Sequence, residues 1–188
     1  MMHNGIEYTQ IPYAPTYYIS RCGKVLSIRS GIIKSILLSI DKDGYLSCNI
    51  HRGTGKTKKP LHRLLCNAFM ALDMDNRSLC VNHIDGNKVN NSLSNIEIVY
   101  RRENTSHYML NKRHNLIGYS YLSNTNTYKA SIGIHGKTKH IGLYDTKEAA
   151  HKAYIDAFIG YGLRDKYVEQ LPAYKEAMML KGVGVSIV

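Results

Sequence analysis

Tryptophan is absent from this 188-residue chain and phenylalanine occurs only 2 times, so 15 tyrosines carry the aromatic load. Tyrosine buries a ring while keeping a wet hydroxyl, which suits small domains with thin cores and polar contact surfaces. No apolar run approaches the roughly 20 residues of a membrane span, and no secretory leader is legible. The expectation is a cytoplasmic protein with no membrane partner. Cys-x-x-Cys spacing is missing as well. Cys22, Cys48, Cys66 and Cys80 stand apart in apolar or strand-like contexts, which argues against a zinc knuckle and for buried reduced thiols.

Acidic residues are missing over two long stretches. From Gly44 to Ala71 there is none, while Arg52, Lys56, Lys58, Lys59 and Arg63 are present. From Asn104 to Tyr144 there is again none, while Lys112, Arg113, Lys129, Lys137 and Lys139 are present. Lys and Arg number 25 against 14 Asp and Glu, a formal charge of +11. A basic excess alone fits many soluble proteins. Two separate acid-free basic stretches have the pattern of two phosphate-tracking surfaces, which points to nucleic acid.

The length allows one ordinary domain or two to three very small ones, and a change of period near Pro60 and a shift of composition beyond Lys112 divide the chain into 1–58, 59–112 and 113–188. To about Pro15 the chain reads as an irregular lead-in. Tyr17–Ser20 and Lys24–Ile28 read as strands around a turn, and Ile36–Ile40 as a further strand-compatible run. Asp43-Gly44 is a hairpin signal before the alternating Tyr45–Ile50, and His51–Lys56 reads as a glycine-rich basic turn. Leu61, Leu64, Leu65, Ala68 and Phe69 then mark one face of a helix with Pro60 at its start. His62 on that helix is expected to pack or to bond beneath a site. The order afterwards is strand (Leu79–Val81), Asn- and Ser-rich loop, strand (Ile96–Val99) and helix (Arg101 to about Lys112). Beyond it, Gly118–Leu122, Tyr128–Ile134 and Lys139–Tyr144 read as strands. A helix follows, capped by Asp145 or Thr146 and ended by Gly160 to Gly162. Pro172–Leu180 reads as a short helix and Gly182–Val188 as a frayed tail.

The densest cluster of chemistry-bearing residues runs from Asn82-His83-Ile84-Asp85-Gly86-Asn87 through Asn91 and Asn95 to Glu103-Asn104-x-x-His107. Phosphodiester hydrolysis needs an activated water, charge neutralisation on the phosphate and help for the leaving oxygen. A histidine and a divalent cation can supply all three. Asn104 and His107 lie three apart on one predicted helix and share a face. This stretch strongly resembles HNH nucleases of the ββα-metal fold, and most of all the phage homing endonucleases of group I introns. The resemblance also takes in Tyr18-Ile19-Ser20-x-x-Gly23-x-Val25-x-Ser27 and Leu61-His62-Arg63-Leu64.

That resemblance implies His83 as the general base and Asn95 as the residue that holds the loop and orients it. It implies Asn104 as a metal ligand through its amide oxygen. Asn82 stands where many relatives carry an aspartate ligand, which implies weak metal binding without DNA. His107 is read either as a third ligand or as a surface-helix histidine. Mg²⁺ or Mn²⁺ fits such oxygen ligands. Asp85 is expected to make the turn, and Asn87, Asn90 and Asn91 to brace the loop or touch phosphate.

Gly118-Tyr119-Ser120-Tyr121, Tyr128-Lys129-Ala130-Ser131-Ile132 and His140 to Tyr154 look like an APETALA2-type DNA-binding domain, although the family's usual arginines and tryptophans are replaced. That implies a three-stranded sheet on a helix, with Tyr119, Tyr121, Tyr128, Lys129, Ser131, Lys137 and Lys139 as contacts to DNA. Arg52, Lys56, Lys58, Lys59 and Arg63 are the matching contacts of the N-terminal region.

The fold class expected is therefore α+β: a small N-terminal antiparallel sheet, a ββα-metal core, and a C-terminal sheet packed on a helix. The function expected is site-specific, metal-dependent cleavage of double-stranded DNA by a monomer in a bacterial host cell, with nicking of one strand favoured. The rival reading is a non-catalytic DNA-binding regulator derived from such a nuclease. A zinc-structured RNA-binding protein is the third, and it lacks a tetrahedral Cys/His set.

Overall fold

The computed structural model describes residues 1–53, 55–113 and 115–182. The tail expected from 183 onward, and Thr54 in the basic turn, lie outside the described residues. The chain forms two compact units, Met1–Asn104 and Thr105–Val188. Both are α+β with small antiparallel sheets, as the sequence implies.

The first unit starts with short strands where an irregular lead-in was expected: β1 (Met2–His3), β2 (Ile6–Glu7) and β3 (Thr9–Gln10). The reason is local. Asn4 and Gly5 both have positive φ, 48° and 72°, and join His3 to Ile6 in a two-residue hairpin turn. β4 (Tyr17–Ile19) and β5 (Val25–Arg29) pair as expected. Ser30 and Gly31 repeat the left-handed pair, so the next strand must begin at once. It is β6 (Ile32–Ile36), followed by β7 (Ser39–Ile40), rather than one run over Ile36–Ile40. Leu37 and Leu38 carry the chain from the sheet β3-β4-β5-β6 to a second one.

That second sheet is β7, β8 (Leu46–Arg52) and β9 (Gly55–Pro60). Lys56, Lys58 and Lys59 thus lie on a strand, because β9 pairs with β8 from Arg52↔Gly55 to Ser47↔Pro60. α1 (Leu61–Phe69) follows Pro60, whose missing N–H leaves one fewer orphan donor at the helix start. Leu61, Leu64, Leu65 and Cys66 turn inward. They meet Ile11, Tyr17, Ile19 and Ile50 from the sheets, and Val81 and Ile96 from the hairpin of β10 (Leu79–His83) and β11 (Ile96–Tyr100). Platform and hairpin therefore share one core. α2 (Arg101–Lys112) begins directly after β11, where Glu103 Oε2 accepts from the Tyr100 N–H at 2.9 Å, half of a capping box.

The second unit packs β12 (Tyr119–Leu122), β13 (Thr127–Ile134) and β14 (Lys137–Tyr144) on α3 (Lys147–Gly160). Thr146 caps α3 through its hydroxyl, which accepts from Ala149 N at 3.2 Å. Ile132, Ile134, Tyr154, Ile155 and Phe158 form the core, with Val168 of α4 (Lys166–Glu169); α5 (Pro172–Leu180) packs against α3. The α4 turn was not read from sequence.

All four cysteines are free. Cys48 and Cys66 are buried and their thiols pushed up, to about 11 and about 12, by loss of solvent. Cys22 departs from expectation. It is exposed, and the Ser20 hydroxyl beside it lowers its thiol pKa.

Candidate active site

β10 and β11 pair in register from Leu79↔Tyr100 to His83↔Ile96. Asn82 and His83 end the first strand and are only 6% and 5% exposed, so each needs a partner for its polar atoms. Asn82 faces Glu97 across the ladder and donates from Nδ2 to Oε1 at 2.9 Å. The structure thus sets a carboxylate beside Asn82, which makes the centre less poor in negative charge than the sequence implies.

The loop from Ile84 to Asn95 is held by its own side chains. The Ile84 N–H donates to the Asn95 carbonyl at 2.8 Å, one residue past the last ladder pair. Asp85 Oδ1 accepts from Asn87 N (2.8 Å) and Asn95 Nδ2 (2.9 Å), and Oδ2 accepts from Asn90 Nδ2 (2.7 Å). Asn95 Oδ1 accepts in return from Asp85 N at 3.1 Å. These amides, Asn90 first and then Asn95, hold the Asp85 carboxyl below its ordinary range. Asp85 therefore makes the turn, with Gly86 at φ 74° supplying its left-handed residue. Asn91 braces the loop, as the sequence implies, and adds a contact to His83. Its Nδ2 donates to the Val89 carbonyl at 3.2 Å, and its Oδ1 lies 3.0 Å from His83 Nε2.

Beneath His83 lies an aromatic floor. Tyr45 stacks on it at 5.9 Å between centroids and 28° between planes, and the edge of His62 meets it at 5.1 Å and 81°. Tyr45 and His62 touch one another at 4.8 Å. Burial first, and the His83 and Arg63 charges second, push the His62 pKa down to about 3, and its buried Nδ1 has no hydrogen-bond partner. His62 is thus packing, as expected. Lys88 of the loop reaches back, with Nζ 4.9 Å above the Tyr45 ring and 2.9 Å from the Asp43 carbonyl.

Asn104 is half-buried on the first turn of α2, four residues after β11 ends. His107 belongs to the second unit; its ring stacks on Tyr167 at 4.5 Å and its Nε2 lies 3.2 Å from Asn111 Nδ2. The structure therefore gathers Asn82, His83, Asn91 and Asn95 around one strand end. Among the described residues no three His, Cys, Asp or Glu side chains form a metal cage. Asn82 and Asn104, the ligands expected from sequence, carry neutral amide oxygens, a donor type that suits a hard divalent cation.

The basic residues divide between faces. On β8–β9, Lys56 and Lys58 pair with His51 and Asn49, opposite to the buried Cys48 and Ile50. Arg52 and Lys59 instead lie on Tyr13, at 4.6 and 4.9 Å from its ring centre. Arg63 turns to the carbonyls of Leu79 and Met74, where it ties down the 74–79 connection. In the second unit, Tyr119, Tyr121 and Tyr128 cluster on the face of Ala130 and Ile132, which is the α3 side. Lys139 joins that side, over Tyr161 at 5.0 Å, and Lys137 pairs with Ile134. Lys129 and Ser131 occupy the opposite face with Ser120, Thr138, His140 and Leu143. The expected contacts therefore do not share one surface, and strand register places Ser120, Thr138 and His140 beside Lys129 and Ser131.

Part of the chain has counterparts among curated proteins. DNA endonuclease I-HmuI of Bacillus phage SP01 is 37% identical over 98 residues, 52% of this chain and 53% of that protein. The HNH endonuclease L245 of Acanthamoeba polyphaga mimivirus, itself uncharacterised, is 35% identical over 95 residues, 50% of this chain and 27% of its own length. Over these stretches the chain is similar to proteins named as HNH endonucleases. YosQ of Bacillus subtilis (strain 168), named as an SPbeta prophage-derived HNH homing endonuclease, is 44% identical over 59 residues, 31% of this chain and 33% of its own. The chain thus spans about half or less of the length of these relatives. A solved structure of DNA binding and cleavage by I-HmuI covers 97% of this chain and 94% of its own at 25% identity, with a TM-score of 0.47. No protein-family model matches the chain.

Proposed function

We propose that this protein is a site-specific DNA endonuclease of the HNH homing type that hydrolyses phosphodiester bonds in duplex DNA. The observation that carries the reading is His83, held at a strand end by Asn91, above Tyr45 and His62, and at the root of a loop that Asp85 and Asn95 lock.

His83 acts as the general base that takes the proton of the attacking water. Asn95 fixes the loop, and through the Ile84 bond it fixes the backbone beside His83. Asn82 and Asn104 are the amide oxygens that would hold a cation. Mg²⁺ or Mn²⁺ bound there supplies charge neutralisation on the phosphate and help for the leaving oxygen. The Asn82 amide is held by Glu97 and carries no charge of its own, so DNA phosphate completes the metal's affinity.

DNA is held by two surfaces, the Lys56/Lys58 face of the N-terminal region (1–58) and the sheet of an APETALA2-like module (113–188) flanking the nuclease core (59–112). A single centre on a monomer with two grips favours nicking of one strand. The intron type of the family and action in the cytoplasm of a bacterial host complete the reading. Among the described residues no helix is long and apolar enough to cross a membrane.

The test is plasmid cleavage with Mg²⁺ or EDTA. Relaxation that EDTA stops and His83→Ala abolishes, with gel-shift affinity retained, is the expected result. Binding with no cleavage by the wild-type protein points instead to a DNA-binding regulator.

A further inference from the structure

A neutral imidazole can serve as a base only through the nitrogen that lacks hydrogen, and the partner of the other nitrogen decides which one that is. At His83 the hydrogen-bond network decides it. The Asn91 amide could face the ring with either its oxygen or its nitrogen, and the neighbouring carbonyl removes the ambiguity. Nδ2 must be the atom 3.2 Å from the Val89 carbonyl, since oxygen there would face oxygen. Oδ1 is then the atom 3.0 Å from His83 Nε2. A carbonyl oxygen only accepts, so Nε2 carries the hydrogen and donates. Val89 and Asn91 belong to the loop that Asp85, Asn90 and Asn95 brace, so this oxygen is held in place by the fold. Tyr45 and His62 fix the plane of the ring from below.

We propose that Asn91 is a positioning residue that fixes His83 in the Nε2–H tautomer, so that Nδ1 is the atom that receives the proton. Using Nδ1 in this way rests on the nuclease reading above; the tautomer itself does not. On proton transfer from water Nδ1 gains the hydrogen, hydroxide is released as nucleophile, and the imidazolium keeps its Nε2–H···Oδ1 bond. That bond strengthens as the ring becomes charged, which favours the reacting state.

The test uses the full chain and two substitutions at one site. Asn91→Leu keeps the side-chain size and removes the acceptor; Asn91→Asp keeps the acceptor and removes the donor to Val89. Long-range ¹H–¹⁵N spectra of the His83 ring, at a pH where it is neutral, report the tautomer directly. The expected result is Nε2–H in the wild-type protein, a mixture in Asn91→Leu and Nε2–H again in Asn91→Asp. Cleavage should follow, with kcat down roughly 10–100-fold in Asn91→Leu, KM little changed, and substantial recovery in Asn91→Asp. An Nδ1–H ring in the wild-type protein overturns the proposal. So does an Asn91→Asp variant as impaired as Asn91→Leu, which would assign the effect to the Val89 bond. A wild-type protein that shows the tautomer and its loss in Asn91→Leu, yet cleaves no DNA, overturns the nuclease reading and leaves this one intact.

Discussion

Burial keeps His62 neutral down to about pH 3, whereas a solvated imidazole takes its proton near pH 6.5. Between those values the unfolded chain binds a proton that the folded chain refuses, so stability is complete above the unfolded value and falls as pH drops toward the folded one. From about pH 7.5 to about pH 5 the loss from this residue is on the order of 2 kcal/mol. Urea midpoints followed by far-UV circular dichroism at the two pH values should show it. His62→Phe, which keeps a ring under His83 and removes the orphaned nitrogen, should flatten the difference. An equal pH slope in both proteins would remove His62 from the explanation.

The turn at Asp85 and the loop hold of Asn95 were legible in the sequence because a tight loop confines its partners to a few neighbours. Tyr45 and His62 were not legible as a pair beneath His83. Their contact joins residues brought together only by the shared core, and no local spacing records it. Glu97 could have been found by counting back along the hairpin from His83↔Ile96, since Asn82 is the next rung.

Turns set most of the element boundaries, and they account for the differences from expectation. Asn4-Gly5, Ser30-Gly31 and His135-Gly136 each put two successive residues at positive φ, which starts a strand immediately after the turn. Asn-Gly signals this by composition; Ser-Gly and His-Gly do so only weakly. Gly118 is more exacting. At φ 84°, an added Cβ would come within 2.0 Å of Tyr154 Cγ, which is itself packed in the second core. Gly118→Ala should therefore lose most of the cooperative unfolding transition of the second unit, with protection of β13 amides against hydrogen exchange as the readout. Thr146→Ala is the milder counterpart, removing the cap of α3 at a cost of about 1 kcal/mol. Sheet register also separates candidate contacts: Lys129→Ala should weaken DNA binding, while Lys139→Ala, whose ammonium rests on Tyr161, should change it little.

At the scale of the molecule, +11 on 188 residues would, on the proposed function, make salt the chief control of affinity for DNA. Replacing both Lys56 and Lys58, which lie on the outward face of β9, should lower the slope of log K against log salt by about 2 in a fluorescence-anisotropy titration. Replacing Arg63 should leave that slope unchanged, because its guanidinium is committed to the Met74 and Leu79 carbonyls.

The Lys88 clasp has a consequence for how such chains can be recombined. Its ammonium sits on Tyr45 and on the Asp43 carbonyl, and Tyr45 in turn carries the ring of His83. Exchanging residues 1–58 for those of a relative would strip the His83 site of its support unless the new segment brought its own tyrosine at position 45 and the same turn. The N-terminal sheet is thus not a detachable address label. A chimera joined after Asn104 keeps clasp, floor and loop in one piece, and should keep the setting of His83 unchanged.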